Sequence, residues 1–144
     1  MKQVVRCLLK NEKNKFLFVK HTQATYWTLP GWHIEEWETL YEALEREIKE
    51  EFNFDIEILG WKIGFSRKKI NELPLPISCY EIEYTSKKWG ELKKMEYIFL
   101  AKIIWWKLKI QEEEIDDYRY FSKKEILELD NTFWQIKEMI QSLD

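Results

Sequence analysis

The chain has 144 residues, a formal net charge of −3, 45% hydrophobic residues and 34% charged residues. That length and balance fit one soluble globular domain with a core of its own. The absence of a basic excess argues against nucleic-acid binding as a main role. No apolar run is long enough to cross a bilayer, and the first residues lack the pattern of a secretory signal, so the expected location is the cytoplasm. Cys7 and Cys79 lie far apart without metal-ligand spacing, in apolar runs, which reads as two buried free thiols.

In chain order, Val4 to Lys10 and Phe16 to Lys20 read as a strand hairpin across the polar turn Asn11 to Asn14. A polar loop, His21 to Tyr26, leads to a short apolar stretch and the turn signal Pro30-Gly31. Thr39 with Glu42 forms a capping box that opens a helix running to about Phe52 and ending at Asn53. Asp55 to Ser66 reads as a strand with bends at Gly60 and Gly64, followed by a loop, Arg67 to Pro76. Ile77 to Tyr84 reads as a strand, Thr85 to Gly90 as a charged turn, and Met95 to Ile104 as a strongly apolar strand. Lys107 to Ile110 looks like its hairpin partner, with Trp105-Trp106 as the two-residue turn. Ser122 with Glu125 caps a short helix to about Leu129, and Asn131 or Thr132 caps the last helix. A mixed sheet between helices is the natural architecture for this order.

The helix from Thr39 carries the chemistry. Leu44, Ile48 and Phe52 form an apolar stripe, and Glu47, Glu50 and Glu51 stand beside it at helical spacing. Glu42, Glu45 and Lys49 point toward water. Three carboxylates at the edge of a buried face repel one another, and a divalent cation relieves that cost. Clustered carboxylate oxygens suit Mg2+ or Mn2+. A solvated Glu/Lys-rich helix is the plainer alternative for such a composition.

The longer pattern resembles the Nudix box, G-x5-E-x7-REU-x-EE-x-GU with U a bulky aliphatic residue. Glu38 fits the first glutamate, and Arg46, Glu47, Ile48, Glu50 and Glu51 fit REU-x-EE at the required distance. Leu29-Pro30-Gly31 matches the lead-in, and His33, Ile34 and Glu35 the continuation. The resemblance implies an α/β/α sandwich around a mixed β-sheet in one domain, residues 1–144. It implies hydrolysis of the pyrophosphate bond in a nucleoside diphosphate linked to another moiety. Glu47, Glu50 and Glu51 would be metal ligands and catalytic groups, with Arg46 orienting them. The Gly31 carbonyl would be a further ligand, and Glu38 would brace the loop or contact metal through water. Glu114, and less so Glu96, are candidates for the extra acidic residue that relatives place beyond the box. His21, His33, Tyr26, Trp27 and Phe65 are weaker candidates for substrate contact. The cofactor would be Mg2+ or Mn2+, and the partner a small-molecule nucleotide substrate, with no nucleic acid and no membrane, on a monomer or homodimer. A Nudix-like binding or regulatory domain with impaired catalysis is the competing class.

The departures from the box are concentrated in one residue type. Its glycine positions hold Trp32 and Asn53, and Trp37 stands where glycine is common. With Trp105-Trp106 in a two-residue turn, four tryptophans fall where glycine is expected, in a chain with eight tryptophans and four glycines. Chance, an aromatic binding patch, deliberate substitution, or a gene that writes glycine as UGA translated with UGA as tryptophan each fit that pattern.

Overall fold

The computed structural model describes residues 1–143. Among these residues are nine strands and three helices; seven strands and the helices form an α/β/α sandwich, and two short strands pair as a separate hairpin. The strands are β1 (Lys2–Lys10), β2 (Phe16–His21), β3 (Gly31–His33), β4 (Phe54–Leu59), β5 (Ser66–Arg67), β6 (Ile70–Asn71), β7 (Ser78–Ser86), β8 (Gly90–Trp106) and β9 (Ile115–Phe121). The helices are α1 (Leu40–Phe52), α2 (Lys123–Glu128) and α3 (Trp134–Ser142). The main sheet has seven strands in the order β4-β8-β1-β2-β9, with β3 also paired to β1 and β7 to β8. Only the central β1/β8 pair is parallel.

The two faces of the sheet explain the hydrophobic pattern. Val5, Cys7, Leu9, Leu17 and Val19 face α1 and pack on Leu44, Ile48 and Phe52. Leu8, Phe16, Phe18 and Ile98 face the other way, onto Ile126 of α2 and Ile136 and Ile140 of α3. With both faces covered, Val4 to Leu9 read as a continuous buried run rather than alternating.

Helix α1 begins at Thr39, whose hydroxyl accepts from the Glu42 N–H while the Glu42 carboxylate accepts from the Thr39 N–H. It ends at Asn53, which adopts φ 62° and donates its N–H to the Lys49 carbonyl. Asparagine tolerates that left-handed conformation. No helix among the described residues is long and apolar enough to cross a membrane.

Several elements differ from expectation. Strand β4 stops at Leu59, and residues 60–65 run irregularly, because Gly60 passes the Leu75 carbonyl so closely that a Cβ would sit 2.4 Å from it. Strand β8 is far longer than Met95 to Ile104: it pairs with β7 at its start, β1 in its middle and β4 at its end. Trp105 and Trp106 are therefore no turn but strand residues opposite Asp55 and Phe54. None of Trp32, Trp37, Trp105 and Trp106 has positive φ, so no glycine-only backbone conformation stands at those four positions. Lys107 to Ile110 forms no strand, since β4 already occupies the neighbouring edge; the segment folds over the end of α1 instead. The expected caps of α3 are otherwise engaged: the Asn131 amide donates to the Thr25 carbonyl and the Thr132 hydroxyl to the Trp27 carbonyl, so Phe133 stands at the N-cap. Both cysteines are free, but only Cys7 is buried; Cys79 is exposed.

Candidate active site

Arg46 is the hub of the box. Its guanidinium donates two bonds to Glu38, Nε to Oε2 at 2.6 Å and Nη2 to Oε1 at 2.9 Å. The bidentate pair ties the loop before α1 to the helix itself. Arg46 also reaches Glu47 at 3.2 Å, Glu50 at 3.3 Å and the His33 carbonyl at 3.2 Å. Glu38 accepts from the Glu35 N–H as well, closing the loop on itself. The Arg46 hydrogen bond holds the Glu38 carboxyl below its usual range, and Glu38 in turn raises the guanidinium.

The helix spacing sorts the carboxylates by burial. Glu50 is exposed, while Glu47 and Glu51 are buried, Glu51 to 1% exposure. Both oxygens of Glu51 lack any hydrogen-bond partner. Burial first, and then the Glu47 charge, push its pKa up to about 8, an effect that Arg6 and the nearby Gly31 N–H only partly offset. Burial also raises Glu47, against the pull of Arg46. An unpaired buried carboxylate is costly in isolation, so its persistence at this point asks for a partner.

Gly31 fixes the opposite wall. It has φ +120°, and a Cβ there would lie 2.2 Å from the Val5 carbonyl oxygen and 2.8 Å from the Arg6 Cα. Only glycine permits β3 to approach β1 this closely. The Gly31 carbonyl faces Arg6 Nη1 at 3.4 Å. Glu114 sits in the turn before β9, where its backbone carbonyl accepts from the Thr22 N–H. Its charge adds to the rise of both Glu47 and Glu51, and the residue lines the cleft described below.

The other candidates separate. Glu96 lies away from the carboxylates, in a buried network with Arg6 at 3.5 Å, Lys94 at 3.1 Å and the Tyr80 hydroxyl at 2.9 Å. Burial alone would raise the Glu96 carboxyl, but Arg6 and Lys94 outweigh it and hold the group ionised. His21, Tyr26 and Glu114 line a cleft of about 1430 Å³ that also takes in Arg6, Trp32, Tyr80 and Lys94. Trp27 belongs to the core, in edge contact with Phe121. Phe65 lies exposed in the irregular segment after β4 and does not line the cleft. His33 is driven down to about 4 by burial and by the cations Lys2, Arg6 and Lys94. Arg6, Tyr80 and Lys94 were not among the expected residues. The signal for Arg6 was present: a single cation in the apolar run Val4 to Leu9 must be paired if it is buried.

The donor set at Glu47, Glu50 and Glu51 consists of hard carboxylate oxygens, and the orphaned pair on Glu51 is what a hard divalent cation satisfies. Among the described residues no three acidic, histidine or cysteine side chains converge into a finished metal cage. Arg46 accounts for part of this, since it already engages Glu47 and Glu50.

A sequence model described as NUDIX domain matches residues 1–143. Comparison with curated proteins finds no match. Among solved structures, a MutT protein from Methanosarcina mazei Go1 has TM-score 0.73 at 20% identity, over 97% of this chain and 90% of the other. A NUDIX-family hydrolase from Clostridium perfringens has TM-score 0.70 at 18% identity, over 99% and 98%. A C. elegans Ap4A hydrolase has TM-score 0.68 at 15% identity, over 98% and 93%.

Proposed function

Because the chain belongs to the Nudix family, we propose that it catalyses divalent-metal-dependent hydrolysis of a phosphoanhydride bond in a nucleoside diphosphate linked to another moiety. The observation that carries this reading is Glu51, a buried carboxylate with two unpartnered oxygens whose charge is felt together with those of Glu47 and Glu114, the last of which lines the cleft. Glu47, Glu50 and Glu51, with the Gly31 carbonyl, would hold Mg2+ or Mn2+, which would neutralise charge at the phosphate oxygens and acidify water.

The chain's own groups do the rest. Arg46 sets the side chains of Glu47 and Glu50 and anchors them to Glu38, so the loop and helix move as one unit. Glu51, buried beside Glu47 with both carboxylate oxygens unpartnered, is the group assigned to accept a proton from the attacking water. Water adds to one phosphorus, the bridging P–O bond breaks, and the two phosphate fragments leave. Glu38 and Glu114 border the site and contact substrate or its ions. The enzyme acts as a cytoplasmic monomer or homodimer on a small nucleotide.

Trp32 favours a second reading, a binding domain with weakened catalysis, because its side chain lines the cleft where the box has glycine. A panel of nucleoside diphosphate derivatives with Mg2+ or Mn2+ tests both. Turnover that Glu50→Gln abolishes supports the enzyme; nucleotide binding without turnover at any metal concentration supports the binder.

A further inference from the structure

Residues 60–76 join β4 to β7 as an arm outside the main sheet. Among the described residues, its strands β5 and β6 pair only with each other. Polar bonds within the arm fix its shape. The Glu72 carboxylate accepts from the N–H groups of Ile63, Gly64 and Phe65 at 2.7, 2.7 and 3.1 Å. The Ser66 hydroxyl donates to the Asn71 side-chain carbonyl at 2.9 Å, and the Leu75 N–H to the Trp61 carbonyl at 3.1 Å. At the root, the Tyr41 hydroxyl donates to the Pro74 carbonyl at 2.6 Å. This order does not come from apolar packing, since every residue from 60 to 71 is exposed.

Six large apolar side chains therefore stand in water: Trp61, Ile63, Phe65, Ile70, Leu73 and Leu75, from 49% to 73% exposed. A contiguous apolar surface of this kind marks a contact site, and one already held in shape loses little entropy on binding. Charge selects the partner. The arm holds Lys62, Arg67, Lys68 and Lys69 of the chain's 23 cationic side chains and Glu72 of its 26 acidic ones, so it carries +3 while the remainder of the chain carries −6. An anionic bilayer attracts the arm but repels that remainder. A second copy of the chain offers an acidic body instead, with Glu42 and Glu45 exposed on α1, the helix whose Tyr41 holds the arm's root. The area suffices as well. At roughly 100 Å² exposed apiece, the six side chains present on the order of 600 Å² per arm, so two arms and the surfaces they cover reach about 1,200 Å², a standard interface, even when only half buried.

We infer that the chain forms a twofold homodimer in which each arm lies on the acidic body of the other copy. A twofold pairing seats both arms at once and leaves no free arm to propagate a chain of copies. The test is sedimentation velocity of the full chain from about 1 to about 100 µM, for the wild type and for Ile63→Ser/Ile70→Ser and Arg67→Glu/Lys69→Glu. The substituted side chains are exposed, and circular dichroism verifies that each variant folds; either folded variant suffices. The expected result is a wild-type dimer within that range and self-association at least about tenfold weaker in each folded variant. A wild type that stays monomeric overturns the inference, as does a dimer that survives either substitution undiminished. Co-sedimentation of a monomeric wild type with vesicles of anionic phospholipid assigns the arm to a membrane surface instead.

Discussion

Replacing Glu51 with glutamine should change how the metal-free protein's stability depends on pH. In the unfolded chain Glu51 ionises near 4.5; in the fold, burial and Glu47 push it up to about 8. Between those values the unfolded state has released a proton that the folded state still holds. Rising pH therefore favours unfolding across that window, and the loss is complete above about pH 8. At about 1.4 kcal/mol per unit, the shift caps the effect at about 5 kcal/mol, with about 3 kcal/mol already lost at pH 7. Glutamine cannot ionise, so Glu51→Gln removes this slope. Near pH 5 the glutamic acid side chain is largely neutral and the two proteins should be similarly stable. At pH 8 to 9 the variant should be the more stable by about 4–5 kcal/mol, which for a domain of this size is roughly 10–20 °C in melting temperature. The assay is thermal unfolding in excess chelator from pH 5 to pH 9. Parallel curves for wild type and variant would refute the claim that Glu51 is buried as an uncompensated charge.

Adding millimolar Mg2+ to the chelated wild type should raise its melting temperature, since the cation binds the folded state preferentially; an unchanged value counts against a site at Glu47, Glu50 and Glu51. Glu50→Gln should cut turnover by orders of magnitude with little effect on stability, because Glu50 is exposed, and near-normal kcat would remove it from the ligand set. Arg46→Ala should lower both melting temperature and kcat, because it frees Glu38, Glu47 and Glu50 together, whereas a loss confined to KM would contradict its positioning role. If the four tryptophans at 32, 37, 105 and 106 stand for glycine, the coding DNA will show TGA there and Trp32→Gly will raise kcat by opening the cleft; TGG codons end that idea.

The parts of the fold that are local in origin are legible in the sequence. The capping box at Thr39, the left-handed Asn53 and the stripe Leu44, Ile48, Phe52 fix α1 within a residue of its bounds, because each signal lies within a few residues of the element it sets. Strand pairing is decided at a distance. Nothing near Trp105 reveals that β4 will lie opposite, so two strand residues look like a turn and the loop after them like a strand. Strand β3 is three residues long, too short for periodicity, and the Pro30-Gly31 turn signal hides it. At the candidate site the spacing of Glu47, Glu50 and Glu51 gives their common side but not their unequal burial, which depends on β3 and the turn at Glu114. The Arg6, Lys94, Glu96 and Tyr80 network joins residues up to 90 positions apart, a juxtaposition that the β1/β8 and β7/β8 registers supply.

The most direct measurement is the formation of nucleoside monophosphate from a panel of nucleoside diphosphate derivatives and triphosphates, followed by chromatography, with Mg2+ titrated in and then withdrawn by exhaustive chelation. Turnover of at least one nucleotide that rises with Mg2+, disappears on chelation and returns when the metal is restored is the predicted result. Turnover that persists undiminished without divalent metal would contradict the assignment of Glu47, Glu50 and Glu51 as the groups through which this chain works.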